Sequence, residues 1–294
     1  MAKIGIDRKW RAIGLAPSLL VFAGLTLLPI ANLVAMSFHD IAWADGISRW
    51  TFVGFRHYQA LPEDMLLRAG LGNTIFFAVV STLTQMLLAF VLALFVSRIH
   101  RGRVLYRTLF ILPILVPAIV IGAIWKLMLN YDFGLVNDFI GLFGAAPRDW
   151  LGERALALWS VIVVDVWHWT PFCFLLLLAG FESLPQDVYE AARVDGVGPL
   201  SELRYITLPL MLPTIAVTLG FRLILAFKVF DEIYLLTGGG PGTATEVLSF
   251  TVYRRFFTQD RAGYGAAMSL FAMTLVAVLA ITAMTAARRR QTRS

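Results

Sequence analysis

The sequence predicts an all-α membrane protein with six transmembrane helices. Its 294 residues are 59% hydrophobic and only 15% charged, and the mean hydropathy is +0.74. A soluble domain carries about 25% charged residues, so the deficit indicates a chain that lies in lipid. The apolar residues form six stretches long enough to cross a bilayer, which takes about 20 helical residues. The net charge of +6 does not indicate nucleic-acid binding, because the basic residues cluster beside these stretches.

The six predicted spans follow one another along the chain. The first follows a basic N-terminal segment and resembles a signal peptide, but its apolar run exceeds the roughly 7–15 residues of a signal sequence. We therefore interpret it as a retained span. The one cysteine, Cys173, lies in the fourth span, so no intrachain disulfide can form. The predicted spans are Ala12–Met36, Asn73–Val96, Leu105–Leu129, Ala157–Phe181, Leu208–Leu236 and Tyr264–Ala286.

Two spans begin with similar proline-containing segments. The third contains L-P-I-L-V-P-A-I at Leu112–Ile119, and the fifth contains L-P-L-M-L-P-T-I at Leu208–Ile215. Proline frees backbone groups in a membrane helix, which neighbouring helices must satisfy. Two interpretations stay open: a pair of similar static kinks, or a pair of bent helices that move during transport.

The distribution of basic residues predicts the orientation of the spans. With the N-terminus in the cytoplasm, the inner segments carry 14 Lys and Arg residues and the longer outer loops carry 8. Cytoplasmic loops are enriched in Lys and Arg, so both termini are expected inside. The same orientation places the polar segment 183–209 in the cytoplasm.

Segment 183–209 is predicted to form two short helices separated by a glycine break. Pro185 suits a first helical position, and Asp187 lies early in the helix, where a carboxylate favours the positive end of the dipole. Gly196 can adopt the left-handed conformation that ends helices, and Pro199 prevents the first helix from continuing. From this pattern alone, an ordinary amphipathic connector between two spans is the simpler interpretation.

The same segment also contains a spaced motif, E-A-A-x3-G-x9-I-x-L-P, which resembles the EAA loop of ABC importer permeases. The resemblance implies the type I importer permease fold, with residues 1–294 as a single transmembrane domain and 183–209 as a cytoplasmic coupling loop. The motif consists of Glu190, Ala191, Ala192, Gly196, Ile206, Leu208 and Pro209. The implied contacts with an ATPase come from Glu190, Ala191, Ala192, Asp195 and Gly196.

Two outer segments are similar to those of sugar permeases, specifically the maltose and glycerol-phosphate permease-like member of a permease pair. The first runs from Phe52 to Thr74, and the second is the glycine run at 237–242. The glycine run lacks the G-x4-G-K-[ST] pattern of a phosphate-binding loop. We interpret it as the cap and turn that end the fifth span.

Polar residues inside spans are costly and usually face a cavity or one another. Lys228 and Glu232 are four residues apart and are expected to form an intrahelical ion pair. Alignment with maltose-type permeases implies substrate-binding positions at Asp165, His168, Trp169, Phe172, Arg222, Leu225, Ala226 and Val229. Leu225, Ala226 and Val229 replace small polar and amide groups, which argues against a maltodextrin. Arg222 and His168 suit an anionic sugar derivative; alternatively, Arg222 only neutralises Asp165.

The resemblance implies an ATP-driven importer of a sugar or sugar derivative. Its implied partners are a second permease, two ATP-binding cassette subunits and an extracytoplasmic binding protein, in a bacterial inner membrane. The sequence has no H-E-x-x-H, C-x-x-C or G-x-S-x-G motif, so no catalytic or metal site is expected. ATP and Mg²⁺ are expected to bind the partner ATPase. The alternative is half of an ion-coupled secondary transporter or a channel.

Overall fold

A computed structural model describes residues 8–44, 47–99 and 102–291. Helices dominate, which confirms the all-α prediction, and one antiparallel hairpin was not predicted. The elements in chain order are α1 (Arg8–Ser37), β1 (His39–Ala44), β2 (Ile47–Phe52), α2 (Arg56–Ala60), α3 (Met65–Arg98), α4 (Arg103–Leu115), α5 (Ala118–Met128), α6 (Leu135–Gly141), α7 (Ala157–Glu182), α8 (Gln186–Val194), α9 (Pro199–Glu202), α10 (Leu208–Ala226), α11 (Asp231–Leu236), α12 (Leu248–Tyr253) and α13 (Ala262–Gln291). A 3₁₀ turn at Leu61–Glu63 and π-helical turns at Leu203–Thr207 and Arg254–Thr258 complete them.

Within the described residues, five helices are long and apolar enough to cross a membrane, or six if α4 and α5 form one broken span. The third predicted span is bent by 90° between these two helices. Proline at position 117 disfavours a helical conformation at Val116, whose ψ of 128° is extended. The similar segment of the fifth span does not bend in this way, since α10 runs through Pro213. The two proline segments are therefore not equivalent.

The described residues fall into two compact units, one within Met1–Glu63 and Val252–Met273 and the other within Asp64–Thr251 and Thr274–Ser294. In the first unit, α1 leads directly into the hairpin of β1 and β2. The hairpin register pairs His39 with Phe52 and Ala44 with Ile47. His57 on α2 is buried, and its Nε2 lies 3.2 Å from the His39 carbonyl oxygen.

The core of the second unit lies between α3, α7 and α10. Its buried side chains come from all three helices and include Phe174, Leu177 and Met211. Gly180 allows α7 and α10 to approach closely, since a Cβ atom there would lie 2.7 Å from the Thr214 Cγ2. This packing fixes the relative positions of the three helices that carry the polar residues described next.

The fifth predicted span ends earlier than expected. Helix α10 stops at Ala226, and a non-helical link separates it from the short α11. The glycine run then caps α11, because the N–H of Gly238 donates to the carbonyl of Ile233 over 2.8 Å and Gly238 has a φ of +58°. The predicted capping role of the run is confirmed, although the helix that it caps is α11 and not one continuous span.

Candidate functional site

Three buried polar side chains join α3, α7 and α10. The guanidinium Nη2 of Arg222 donates to Asp165 Oδ2 over 2.5 Å, and its Nε donates to Gln85 Oε1 over 2.6 Å. The Gln85 amide closes the triangle by donating to both the carboxylate and the backbone carbonyl of Asp165, each over 2.9 Å. All three residues are at most 2% exposed. We call these three residues the Gln85–Asp165–Arg222 network.

The network accounts for the charge of Arg222 within the membrane-spanning helices. An uncompensated charge there costs about 2.5–3.5 kcal/mol or more, so a cation in a span needs a partner. Asp165 supplies the opposite charge. The Gln85 side-chain amide hydrogen-bonds to both charged groups, donating to Asp165 and accepting from Arg222. The alternative in which Arg222 neutralises Asp165 therefore describes the observed contact. Both groups are enclosed by the helices, so Arg222 is not free to meet an anion in this arrangement.

A second buried pair lies between α7 and α11. The Nδ1 of His168 is 3.2 Å from Glu232 Oε1, and both residues are at most 5% exposed. The predicted Lys228–Glu232 ion pair is wrong. Helix α10 ends at Ala226, so Lys228 and Glu232 do not share a helix, and Lys228 is exposed. Because α11 begins at Asp231, Glu232 faces His168 instead.

Trp169 contacts the buried network on one side and is itself only half-buried. The Cζ atom of Arg222 lies 5.2 Å from the centroid of the Trp169 ring, within the range of a cation–π contact. Phe172 packs edge-on against the same indole, with ring centroids 6.1 Å apart. Both aromatic side chains are half-buried. Among the predicted residues of α7, these two keep surface that a ligand could reach.

The apolar residues predicted beside Arg222 do not form one continuous helical face. Leu225 and Ala226 lie in the last turn of α10, half-buried and buried respectively. Val229 is buried but lies beyond the end of α10, in the link to α11. Its backbone carbonyl accepts a hydrogen bond from the Ser249 hydroxyl. Val229 therefore does not continue the helical face of Arg222.

A cavity of about 660 Å³ lies on a different face of α7. Its apolar lining includes Trp159, Trp167 and Phe174, and the residues that line it do not include Asp165, His168 or Trp169. This cavity is therefore separate from the predicted binding positions.

Sequence reasoning missed one contributor to the buried pairs, Gln85, and gave another, Glu232, the wrong partner. Gln85 was overlooked, although an amide in the middle of an apolar span is a signal that could have been used. Glu232 was noticed but assigned to Lys228, because the helix was assumed to continue through Val229. Asn73 on α3 donates to the carbonyls of Thr243 and Glu246 over 2.9 and 2.8 Å. It therefore fixes the loop after the glycine run to α3.

The predicted coupling loop folds into the two short helices that were expected, α8 and α9. Pro185 is the residue before α8, one position earlier than predicted. The chain leaves α8 through Gly196, whose φ is +71°. The N–H of Gly196 donates to Arg193 and that of Val197 to Ala192, which is the hydrogen-bond pattern of a Schellman motif. The helix end is therefore well defined.

The predicted contact residues of α8 are mostly on its surface. Glu190, Ala191 and Asp195 are exposed, whereas Ala192 is buried, 6% exposed, on the inner side of the helix. Val194 is an apolar side chain that is 88% exposed. An exposed carboxylate beside alanine and valine suits a partner that approaches closely and carries a cation.

The predicted coupling loop is attached to the C-terminal end of α3. Arg98 Nη2 donates to Glu202 Oε1 over 2.9 Å, and the Tyr189 hydroxyl donates to Thr207 Oγ1 over 3.1 Å. A cavity of about 470 Å³ lies between α3 and the loop, lined by residues that include Ser97 and Arg193. Through these contacts, α3, α8 and α9 pack together as one local cluster of helices.

Comparison with known proteins identifies the family. Residues 85–293 match the model for the binding-protein-dependent transport system inner membrane component. A trehalose/maltose transport system permease from Thermococcus litoralis is 37% identical over 267 residues, which cover 90% of this chain and 88% of the relative. This match supports the importer interpretation and not the secondary transporter or channel.

Two solved structures share the fold. One is a bacterial ABC transporter that imports the acidic polysaccharide alginate, with 25% identity, a TM-score of 0.84, and coverage of 96% of this chain and 99% of that one. The other is a bacterial alginate ABC transporter in complex with an alginate pentasaccharide-bound periplasmic protein, with 26% identity, a TM-score of 0.83 and coverage of 97% and 96%. The chain therefore belongs to the family of binding-protein-dependent transport system inner membrane components, as a multi-pass permease subunit of an ABC importer.

Proposed function

We propose that this permease subunit imports a sugar or a sugar derivative. The names of the relatives support this substrate class, since they concern trehalose, maltose and alginate. The observation that carries the proposal in this chain is the half-buried Trp169, held between Arg222 and Phe172. An indole offers a flat apolar face on which the apolar side of a sugar ring can stack, with a polar edge.

In this proposal the residues at the site have different roles. Trp169 and Phe172 touch the substrate, whereas Asp165, Gln85 and Arg222 position the indole from behind. Because Asp165 and Arg222 neutralise each other, an anionic group on the substrate is not required. Four less accessible residues form the walls around the site without touching the substrate: His168, Leu225, Ala226 and Val229.

The partners in this proposal are a second permease, two cytoplasmic ATPases and an extracytoplasmic binding protein. The alginate transporter in complex with a substrate-bound periplasmic protein supports the last of these. In this proposal ATP and Mg²⁺ bind the partner ATPases. Both termini lie in the cytoplasm, as the excess of basic residues in the inner segments indicates.

Coupling in this proposal uses helix α8. The exposed Glu190 and Ala191 dock against the ATPase, and closure of the ATPases moves α8 and α9. The attachment of this loop to α3 through Arg98 and Glu202 carries the movement into the membrane. The substrate site then opens alternately to either side.

The test compares two tryptophans of α7 in the reconstituted transporter. Trp169→Ala is expected to reduce sugar uptake at least about tenfold, which corresponds to about 1.4 kcal/mol, while assembly and basal ATPase activity stay unchanged. Trp167→Ala is the matched control, because Trp167 lines the separate cavity and is 44% exposed. Uptake that is equally affected by both substitutions, or by neither, would contradict a substrate contact at Trp169.

A ligand screen of the cognate binding protein tests the substrate class separately. Sugars are expected to raise its thermal unfolding temperature, whereas amino acids and peptides are expected to leave it unchanged. Stabilisation only by a ligand of another class would overturn the sugar proposal without affecting the family assignment.

A further inference from the structure

The β1–β2 hairpin has two chemically different faces. Side chains alternate across a strand, so cross-strand partners share a face. In the observed register, Ile41 lies opposite Trp50 and Trp43 lies opposite Ser48. One face therefore carries His39, Ile41, Trp43, Ser48, Trp50 and Phe52, and we call it the aromatic face. The other face carries Asp40, Ala42, Arg49 and Thr51.

The aromatic face is exposed within the described residues of this chain. Trp43 is 61% exposed, Trp50 43% and Phe52 71%. The His39 ring packs against Trp50 and Phe52, with centroid distances of 5.6 and 5.4 Å, so these side chains form one patch. Contiguous apolar patches of this kind mark interaction surfaces.

The hairpin is fixed to the end of a membrane-spanning helix. Helix α1 is a candidate span over Gly14–Ser37, and β1 starts at His39, with only Phe38 between them. The His39 ring lies 2.7 Å from the Ala35 carbonyl, and the N–H of Val53 donates to the Phe38 carbonyl over 2.8 Å. Tyr58 adds a hydrogen bond to Ser37 over 2.7 Å. The strands therefore start at the level where the span ends.

From these observations we propose that the aromatic face of the hairpin binds the lipid headgroup region of the leaflet at the C-terminal end of α1. Indole rings favour the membrane–water interface, where their apolar body meets lipid and their N–H meets water. The opposite face, with Asp40 and Arg49, remains in water. The hairpin thereby anchors the end of α1 at the interface.

The proposal determines how the hairpin is oriented relative to the membrane surface. Strands rise about 3.3 Å per residue, so Trp43 would lie about 13 Å beyond His39 if the strands stood upright on the membrane. The headgroup region is only about 5–7 Å deep on each side of the hydrocarbon core. Trp43 and Trp50 can both reach the headgroups only if the hairpin lies along the surface.

The test measures the depth of both tryptophans in the assembled transporter. The full chain is labelled with fluorotryptophan and placed in lipid nanodiscs, and Trp43→Phe and Trp50→Phe assign the two ¹⁹F resonances. Headgroup nitroxide lipid is expected to remove the intensity of both resonances, whereas a water-soluble gadolinium chelate leaves most of it. Ile47→Ser, an exposed apolar residue on the opposite face, is the control and is expected to change neither result.

Three other outcomes would overturn the proposal. Loss of both resonances with the soluble chelate alone would place the aromatic face in water. Loss of only the Trp50 signal with nitroxide lipid would indicate an upright hairpin. Protection of both resonances from both reagents would indicate that another protein subunit covers this face.

Discussion

At the level of single residues, Arg222 is the group on which the polar packing of the core depends. Removal of one member of a buried pair leaves the other uncompensated and costs about 3–5 kcal/mol. Arg222→Ala is therefore expected to lower stability by that amount, since Asp165 loses its countercharge and Gln85 Oε1 loses its donor. Thermal or denaturant unfolding of the purified complex in nanodiscs measures the loss.

A double substitution distinguishes the contribution of charge to stability from the contribution of side-chain packing. Arg222→Met with Asp165→Leu removes both charges and retains most of the volume, and we expect it to recover most of the lost stability. If the double variant is as unstable as Arg222→Ala, the network does not act as a neutralising pair.

His57 provides a pH-dependent prediction outside the spans. Burial lowers its pKa below the ordinary 6.5, and the positive charges of Arg56 and Arg261 act in the same direction against the hydrogen bond with the His39 carbonyl. The unfolded chain therefore takes up the proton first as pH falls. The stabilising contribution is present above about pH 6.5 and is lost as pH falls from 6.5 towards the lower folded-state pKa.

Hydrogen exchange of the amides in 39–60 at pH 7.5 and pH 5.5 measures this effect. Exchange is expected to be faster at the lower pH once the intrinsic pH dependence is subtracted. His57→Gln should flatten the difference, and a wild-type profile that is already flat would contradict the assignment.

The same residues show what the sequence could and could not predict about the site. The pairing of Asp165 with Arg222 was one of two alternatives, and it rested on the argument that a charge inside a span needs a countercharge, which requires no coordinates. Gln85 could not be assigned to them, since its distance of 80 positions from Asp165 carries no local signal. Glu232 was misassigned because a partner four residues away along the chain was available.

At the level of elements, α8 is the part of the chain with the most specific prediction. Glu190→Ala with Gly196→Pro is expected to uncouple ATP hydrolysis from uptake, because it removes the exposed carboxylate and a backbone φ of +71° that proline cannot adopt. Substrate-stimulated ATPase activity of the reconstituted complex is the measurement. Ser201→Ala, an exposed position on α9, is the control. Unchanged stimulation and uptake in the double variant would exclude a coupling role for α8.

The limits of sequence-based prediction also differ between elements. The long apolar helices α3 and α7 were predicted to within two residues at their C-terminal ends, because long apolar runs select them. The hairpin was missed because a search for apolar stretches of about 20 residues does not detect two strands of 6 residues each. Pro117 and Pro213 occupy matching positions in similar segments, yet the chain bends at Val116 and α10 continues through Pro213, so the local sequence did not distinguish the two outcomes.

At the level of the whole molecule, topology is the prediction to test. With both termini in the cytoplasm, the loops at Trp150 and Thr243 face the other side of the membrane. Single cysteines introduced at these positions, in a chain with Cys173→Ala, are expected to react with an impermeant maleimide from outside intact cells. A cysteine at Ser201 is the control and should react only after lysis. Labelling of position 243 from the cytoplasmic side alone would rule out the six-span arrangement.

Helix α3 contacts the polar network through Gln85 and the coupling loop through Arg98. Thirteen residues of helix separate these contacts by about 20 Å, and a helix transmits displacement along its axis because its backbone hydrogen bonds are continuous. A shift of Glu202 must therefore either break its ion pair or move α3. Under the proposed coupling, any free energy exchanged along this path is reciprocal, so occupancy of the proposed substrate site would change the affinity of the loop for the ATPase by the same factor that the ATPase changes the affinity of the site.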